Sequence, residues 1–203
     1  KDLARYPFLK ESQQFIGASA DTLDRFLGSA PGRIAVRHAM EAAKKYQVPG
    51  ISKDLAVHSS EFSLIQQDLL APGAVEKLLD QLQPDWVIHC AALANLEACE
   101  ANPELASKLN SDLPAKLAAH VARGGARFLH VSTDAVFDGQ RGDYTETDIA
   151  NPLSVYARTK LEGEYAVAEA NPQAIIARVN LFGWSLTGKR SLAEFFYYNL
   201  MVG

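Results

Sequence analysis

The feature that most constrains this chain is a regular alternation between short strand-forming runs and helix-length segments. The strand-forming runs lie at 13–17, 46–51, 62–66, 85–91, 126–132 and 174–180. The helix-length segments lie at 33–45, 73–83, 104–123, 155–170 and from about 190 onward. Parallel strands need crossover connections of about a dozen residues or more, and helices usually provide them. The alternation therefore predicts an α/β fold with a doubly wound, Rossmann-like parallel sheet.

Two of the strand-forming runs are apolar without interruption, at Trp86–Ile88 and at Phe128–Leu129. A strand with one face in water alternates apolar and polar residues, whereas a strand covered on both faces is apolar throughout. The continuous runs thus favour helices on both faces of the sheet. At 203 residues the chain suits a single domain spanning 1–203.

Charge and cysteine content exclude several classes of protein. The formal net charge of −4 offers no basic excess for nucleic acid or an anionic membrane. No apolar stretch is long enough to cross a bilayer. The spacing of Cys90 and Cys99 fits neither a zinc site nor a redox pair, and His38, His58 and His120 have no metal-ligand spacing. We therefore expect reduced thiols, no metal and a cytoplasmic protein.

Three residues at predicted strand and helix ends could form an active site. Ligands of doubly wound sheets bind beyond the carboxyl ends of the strands, where Thr133 ends one strand-forming run. Tyr156 and Lys160 are four residues apart on the next predicted helix and therefore share a face. An ammonium about 4 Å from a phenolate stabilises it by roughly 4 kcal/mol at an effective dielectric near 20, which lowers the pKa of the phenol. Such a phenol can exchange a proton with a carbonyl or alcohol oxygen near neutral pH.

Each of these residues also has a purely structural interpretation. A tyrosine and a lysine four apart are common on helices, and Ser132 and Asp134 suit a turn that begins where the strand ends. Inside their strands, His89 and His130 are expected to be hydrogen-bonded core residues. Glu162 and Glu164 are expected on the solvated helix face, and the aromatic run at 195–198 on a buried one. Only the combination of Thr133, Tyr156 and Lys160 on an α/β pattern favours catalysis.

With these residues assembled, the chain from about Leu64 to Tyr198 resembles the dTDP-4-dehydrorhamnose reductase family of extended short-chain dehydrogenases. The matching segments are "DLLAPGAVEKLLDQLQPDWVIHCAALANLEACEANP", "LHVSTDAVFDG", "YTETDIANPLSVYARTKLEGE" and "ARVNLFGW". The resemblance implies that Tyr156 is the acid–base residue and that Lys160 is its partner and a ribose ligand. It implies that Thr133 is the third residue of the catalytic set. It also implies NAD(P)H-dependent reduction of the 4-keto group of a deoxysugar nucleotide, a small-molecule partner.

The resemblance further implies a set of cofactor contacts. Besides Tyr156 and Lys160, these are Gly17 and Ser19 in the pyrophosphate turn, Asp68 and Leu69 beside the adenine, Ala91, Ala92 and Leu93 past the middle of the cofactor, and Asn110 on the following helix. Ser52 and Lys53 follow the second strand in place of an immediate acidic residue, which favours NADPH over NADH. Asp54 lies close enough to weaken that argument.

Several positions depart from the family pattern. Ala20 stands where a second glycine is expected after Gly17, and Asp21 and Asp24 would repel a pyrophosphate. Gly28 or Gly32 could take over that role in a rebuilt loop. Near the sugar, Ala135 replaces an aromatic residue, and Asn180 lies in the segment where the family has a tryptophan. The family's smaller substrate-binding lobe would follow Gly203, so we expect that lobe to be absent or truncated.

Two other functions share the same residues. The family contains a methionine adenosyltransferase regulatory subunit, so a chain of this fold can serve binding alone. A related nucleotide-sugar epimerase or dehydratase would use the same tyrosine and lysine. The sequence leaves a homo-oligomer open.

Overall fold

The computed structural model describes residues 49–53, 64–180 and 199–200. It divides into two compact units, 1–67 with 181–203, and 68–180. The described part of the first unit contains two short parallel strands, β1 (Gly50–Ser52) and β2 (Leu64–Gln66), with Ile51 opposite Ile65. The predicted strand at 13–17 and helix at 33–45 lie outside the described residues.

The second unit is built on three parallel strands. They are β3 (Trp86–His89), β4 (Arg127–Thr133) and β5 (Ile175–Val179), in the spatial order β3-β4-β5. Each strand lies within the run that predicted it, extended in β4 by one residue to Thr133. The register places His89 opposite His130 and Thr133 opposite Val179. The ends of β4 and β5 therefore meet at one edge of the sheet.

The second unit also contains five α-helices, and side-chain caps begin three of them. They are α1 (Ala74–Leu82), α2 (Leu96–Ala101), α3 (Pro103–Ser107), α4 (Leu113–Gly124) and α5 (Val155–Ala170). Asn95, Asn102 and Ser154 each accept a hydrogen bond from a backbone N–H in the first turn of α2, α3 and α5. The predicted helices at 73–83 and 155–170 correspond to α1 and α5. No helix that the described ranges contain combines the length and apolar character needed to cross a bilayer.

The helix predicted at 104–123 is interrupted by a π-helical turn at Lys108–Asp112. This turn packs against α5, where Gly163 faces the backbone of Asn110. A Cβ atom on Gly163 would lie 2.1 Å from the Asn110 carbonyl oxygen. The turn and the helix therefore approach each other at a distance that requires glycine at this position.

We expect Gly163→Ala to lower the free energy of unfolding by about 3 kcal/mol, because the added methyl must displace the Asn110 backbone. Urea unfolding followed by circular dichroism measures the change. Gly124→Ala is the matched control, since a Cβ there meets nothing within 4 Å and alanine favours a helix. Equal stabilities for Gly163→Ala and the unmodified chain would contradict the close approach.

Candidate active site

Lys160 lies buried between α5 and β4. Its side chain is only 2% exposed, and its Nζ donates a hydrogen bond to the Val131 carbonyl oxygen at 2.7 Å. A second, longer contact of 3.4 Å joins Nζ to His130 Nε2. Burial lowers the pKa of Lys160 to about 8, and the Glu164 carboxylate opposes that shift. The ammonium is therefore held against β4, two residues before the strand ends at Thr133.

Thr133 caps the 3-10 turn Asp134–Val136, which follows β4 directly. Its Oγ1 accepts a hydrogen bond from Ala135 N at 3.1 Å and donates a long one, 3.4 Å, to Asp134 Oδ1. The cap fixes the position of the oxygen, while the weak contact leaves its proton easy to redirect.

Tyr156 is half-buried one turn before Lys160 on α5. It packs with Leu93 against a small cluster formed by Cys99, Ala106 and Val155. The structure thus brings Lys160 to the β4 segment that ends at Thr133, and α5 carries Tyr156 on the same face as Lys160.

Asn110 fixes the loop that follows β3. This fully buried side chain sits on the π-helical turn, accepts a hydrogen bond from Leu93 N at 2.8 Å and donates to Leu93 O at 3.1 Å. A further bond of 3.0 Å joins its Nδ2 to Thr159 Oγ1 on α5. One amide therefore ties together the loop after β3, the π-helical turn and α5.

Of the other predicted cofactor residues, some lie in loops and turns that the structure describes and some lie outside the described residues. Ala91, Ala92 and Leu93 form part of the half-buried loop after β3. Asp68 accepts a hydrogen bond from Leu70 N at 3.0 Å, in a turn that also includes half-buried Leu69. Asn180 is exposed just beyond β5. Gly17, Ser19 and the substitutions near them, at Ala20, Asp21 and Asp24, lie outside the described residues.

A buried charge network beside β4 was not predicted, and it corrects two expectations. Glu164 is not on the solvated face: it is only 4% exposed and accepts hydrogen bonds from Arg178 Nε and Nη2. Ser132 does not cap the turn, because its hydroxyl donates to Glu164 Oε1 at 2.5 Å and Thr133 provides the cap. The sequence did contain a signal for this burial. Glu164 follows Lys160 by one helical turn and therefore lies on the same face of α5. Exposed Glu162 agrees with the prediction.

A pocket of about 510 Å³ opens beside the turn that Thr133 caps. Its lining includes Asp134, Ala135 and Arg178, together with an aromatic pair, Phe137 and Tyr144, whose ring centroids are 4.4 Å apart. Arg178 lies over the Phe137 ring and Arg141 over the Tyr144 ring. Small Ala135 thus borders an open space rather than filling it.

Two histidines form a buried pair next to Lys160. His89 and His130 are both fully buried, as expected of core residues, and their Nδ1 atoms are 3.0 Å apart. Burial and the nearby ammonium lower both pKa values, that of His89 to about 3. Contrary to the expectation of fully bonded core groups, His89 Nε2 has no hydrogen-bond partner among the described residues.

Within the described residues, no three His, Cys, Asp or Glu side chains are grouped to hold a metal.

Comparison with known proteins identifies the family of this chain. Residues 35–193 match the family described as the RmlD substrate binding domain. A probable low-salt glycan biosynthesis reductase, Agl14, of Haloferax volcanii is 43% identical over 118 residues, covering 58% of this chain and 39% of that protein. Methionine adenosyltransferase 2 subunit beta of Bos taurus is 43% identical over 114 residues, covering 56% and 34%. The dTDP-4-dehydrorhamnose reductase of Mycobacterium tuberculosis is 42% identical over 128 residues, covering 61% and 40%.

Solved structures agree with the fold. The dTDP-4-dehydrorhamnose reductase of Clostridium acetobutylicum matches with a TM-score of 0.68 and 29% identity over 93% of this chain and 59% of that one. That of Bacillus anthracis, in complex with NADP, gives a TM-score of 0.63 at 23% identity, covering 82% and 52%.

The prediction of an α/β, Rossmann-like fold is confirmed. The matched segments amount to two fifths or less of the length of these three curated relatives. The match over residues 35–193 and the reductase relatives together establish that the chain belongs to the RmlD, or dTDP-4-dehydrorhamnose reductase, family.

Proposed function

We propose that this chain is the cofactor-binding and catalytic part of an NAD(P)H-dependent reductase that acts on the 4-keto group of a deoxysugar nucleotide. The observation that carries the proposal is the position of Lys160. Its ammonium is buried and bonded to Val131, two residues before Thr133 and one helical turn after Tyr156. An ammonium at this place favours the ionised form of a neighbouring phenol, as an acid–base tyrosine needs.

The three residues then have separate roles in reduction. Tyr156 donates its phenolic proton to the carbonyl oxygen of the sugar as that oxygen gains negative charge. Lys160 stabilises the resulting phenolate with its positive charge. Thr133 redirects its proton from the long contact with Asp134 to the same sugar oxygen, while Ala135 N holds Oγ1 in place. The nicotinamide, when bound, supplies the hydride that reduces the carbonyl carbon.

The described residues fit a dinucleotide beside this site. Ala91 and Ala92 lie just beyond the carboxyl end of β3, and their methyl groups allow close approach to the backbone. Asn110 bonds both backbone groups of Leu93, so this loop has a fixed shape before a ligand arrives. The preference for NADPH rests on the sequence alone, because Ser52 and Lys53 rather than an immediate acidic residue follow the second predicted strand.

The sugar of the substrate would occupy the pocket next to the Thr133 turn. Ala135 leaves room there that an aromatic residue would fill, and the Phe137–Tyr144 pair provides an apolar wall. We expect a substrate different in shape from dTDP-4-dehydrorhamnose.

A non-catalytic regulatory subunit is the second candidate. The similarity to methionine adenosyltransferase 2 subunit beta favours it, and so does the use of Thr133 Oγ1 as a turn cap. The retained tyrosine and lysine favour the reductase, because binding alone does not require an acid–base pair.

Calorimetric titration with NADPH and NADH, followed by an assay of NADPH consumption with 4-keto-6-deoxy sugar nucleotides, tests the proposal. We expect tighter binding of NADPH and consumption that depends on the keto sugar. Binding without consumption would favour the regulatory subunit. Failure to bind either dinucleotide would overturn the reductase proposal.

A further inference from the structure

A chain of buried polar groups runs from Lys160 through two imidazole rings of neighbouring strands. Lys160 Nζ lies 3.4 Å from His130 Nε2, and His130 Nδ1 lies 3.0 Å from His89 Nδ1. The planes of the two rings differ by only 16° and their centroids are 5.2 Å apart. Because the two nitrogens are much closer than the centroids, the rings meet edge to edge, as a hydrogen bond between them requires.

The positions of the protons in this chain follow from the donors and acceptors. An ammonium has only donors, so His130 Nε2 must be the acceptor and must carry no proton. A neutral His130 then has its proton on Nδ1 and donates it to His89 Nδ1. His89, also neutral, must carry its proton on Nε2, the atom without a partner among the described residues. A charged Lys160 therefore selects one tautomer of each ring.

The same contacts determine where the ammonium can point. Val131 O and His130 Nε2 take two of its three N–H donors on the β4 side. The third N–H has no hydrogen-bond partner within the part of the chain that the structure describes, and Tyr156 lies one turn away on the same helix face. The Glu164 carboxylate also acts on the charge of Lys160, whereas burial raises the pKa of the Cys90 thiol to about 12 and keeps it neutral. A neutral imidazole differs from a carboxylate at this position because it accepts a hydrogen bond without cancelling the positive charge that acts on the phenol.

We propose that His130, held in one tautomer by His89, is a positioning residue for Lys160 that directs the third N–H of the ammonium toward the tyrosine side of the cleft. The tautomers follow from the contacts alone, whereas the effect on turnover rests on the proposed reductase function. His89 acts only through His130.

Nuclear magnetic resonance of the 15N-labelled protein tests the tautomers without any assay of activity. Long-range proton–nitrogen correlations distinguish protonated from unprotonated ring nitrogens, and His130→Gln and His89→Asn assign the signals by their disappearance. We expect a proton on Nδ1 of His130 and on Nε2 of His89 at pH 7. The reverse tautomers, or a doubly protonated ring, would overturn the proposal.

Turnover tests the positioning role. His130→Phe keeps an aromatic ring but removes the acceptor, and we expect kcat to fall about tenfold, the effect of losing one hydrogen bond to a charged group. His130→Gln places a carbonyl oxygen near the position of Nε2 and should restore most of the lost kcat. If the two variants are equally impaired, or both fully active, His130 has no positioning role.

The two measurements separate this proposal from the reductase function. A protein that lacks turnover but shows the expected tautomers contradicts the reductase function and leaves the buried chain intact. A fully active protein with the reverse tautomers contradicts only the positioning role. Should His130→Phe fail to fold, the tautomers of the unmodified protein still decide the outcome.

Discussion

Tyr156→Phe is expected to lower kcat for NADPH-dependent reduction at least about a hundredfold, since a positioned general acid typically contributes two to four orders of magnitude. The substitution removes only the phenolic oxygen. The ring can still pack against Leu93 and the cluster of Cys99, Ala106 and Val155. We therefore expect the variant to fold and to bind NADPH through the other predicted cofactor contacts, with the main loss in turnover.

Steady-state kinetics with a 4-keto sugar nucleotide measures this loss, and calorimetry measures cofactor binding. Tyr165→Phe is the matched control, because Tyr165 lies on the same helix with 63% of its surface exposed. That control should leave kcat unchanged. Full activity of Tyr156→Phe would remove the tyrosine from the mechanism, whatever the fold.

Elements with strong local signals were predictable from the sequence. Helix α5 has the predicted bounds, 155–170, because a capping serine, Ser154, stands directly before it. The strands of the second unit were also predictable, since their apolar runs are continuous and set off by turns or helices. These signals depend only on residues that are neighbours in the sequence, so they can be recognised without knowledge of the packing.

Elements that depend on tertiary contacts were not predictable. Helix α2 has only six residues, too few for a clear periodicity, and it is defined by Asn95 and by the break at Asn102. The π-helical turn at 108–112 lies inside a segment with normal helical periodicity. Asn110 on this turn bonds Leu93 and Thr159, and neither partner is near it in sequence.

The candidate site also has features that the sequence predicts and features that depend on tertiary contacts. Tyr156 and Lys160 could be placed on one face from their spacing alone. Their hydrogen-bond partners could not, because Lys160 bonds Val131 and His130 across 29 and 30 residues. The burial of Glu164 on α5 likewise depends on its ion pair with Arg178, which lies on β5. Spacing identifies which residues can act together, and packing decides what each one contacts.

The buried histidine pair is expected to make the protein strongly sensitive to acid. A histidine in the unfolded chain binds a proton near pH 6.5, whereas burial lowers the pKa of folded His89 to about 3 and that of His130 as well. Near pH 5 the unfolded chain therefore holds about two more protons than the folded protein at these positions. Linkage then predicts that their contribution to stability is nearly complete above about pH 7.5 and falls as the pH drops, with a slope that approaches about 2.7 kcal/mol per pH unit near pH 5.

Urea unfolding at intervals between pH 5 and 7 measures this slope, above the range in which Asp138 and Asp148, whose pKa values are lowered, take up protons. His130→Gln should halve the slope of the pair, because one of its two titrating rings is removed. Leu117→Ala is the control: Leu117 is fully buried, so its truncation should lower stability equally at every pH and leave the slope unchanged. If His130→Gln has the slope of the unmodified protein, the His130 ring is charged in the folded state, and the neutral pair beside Lys160 does not exist.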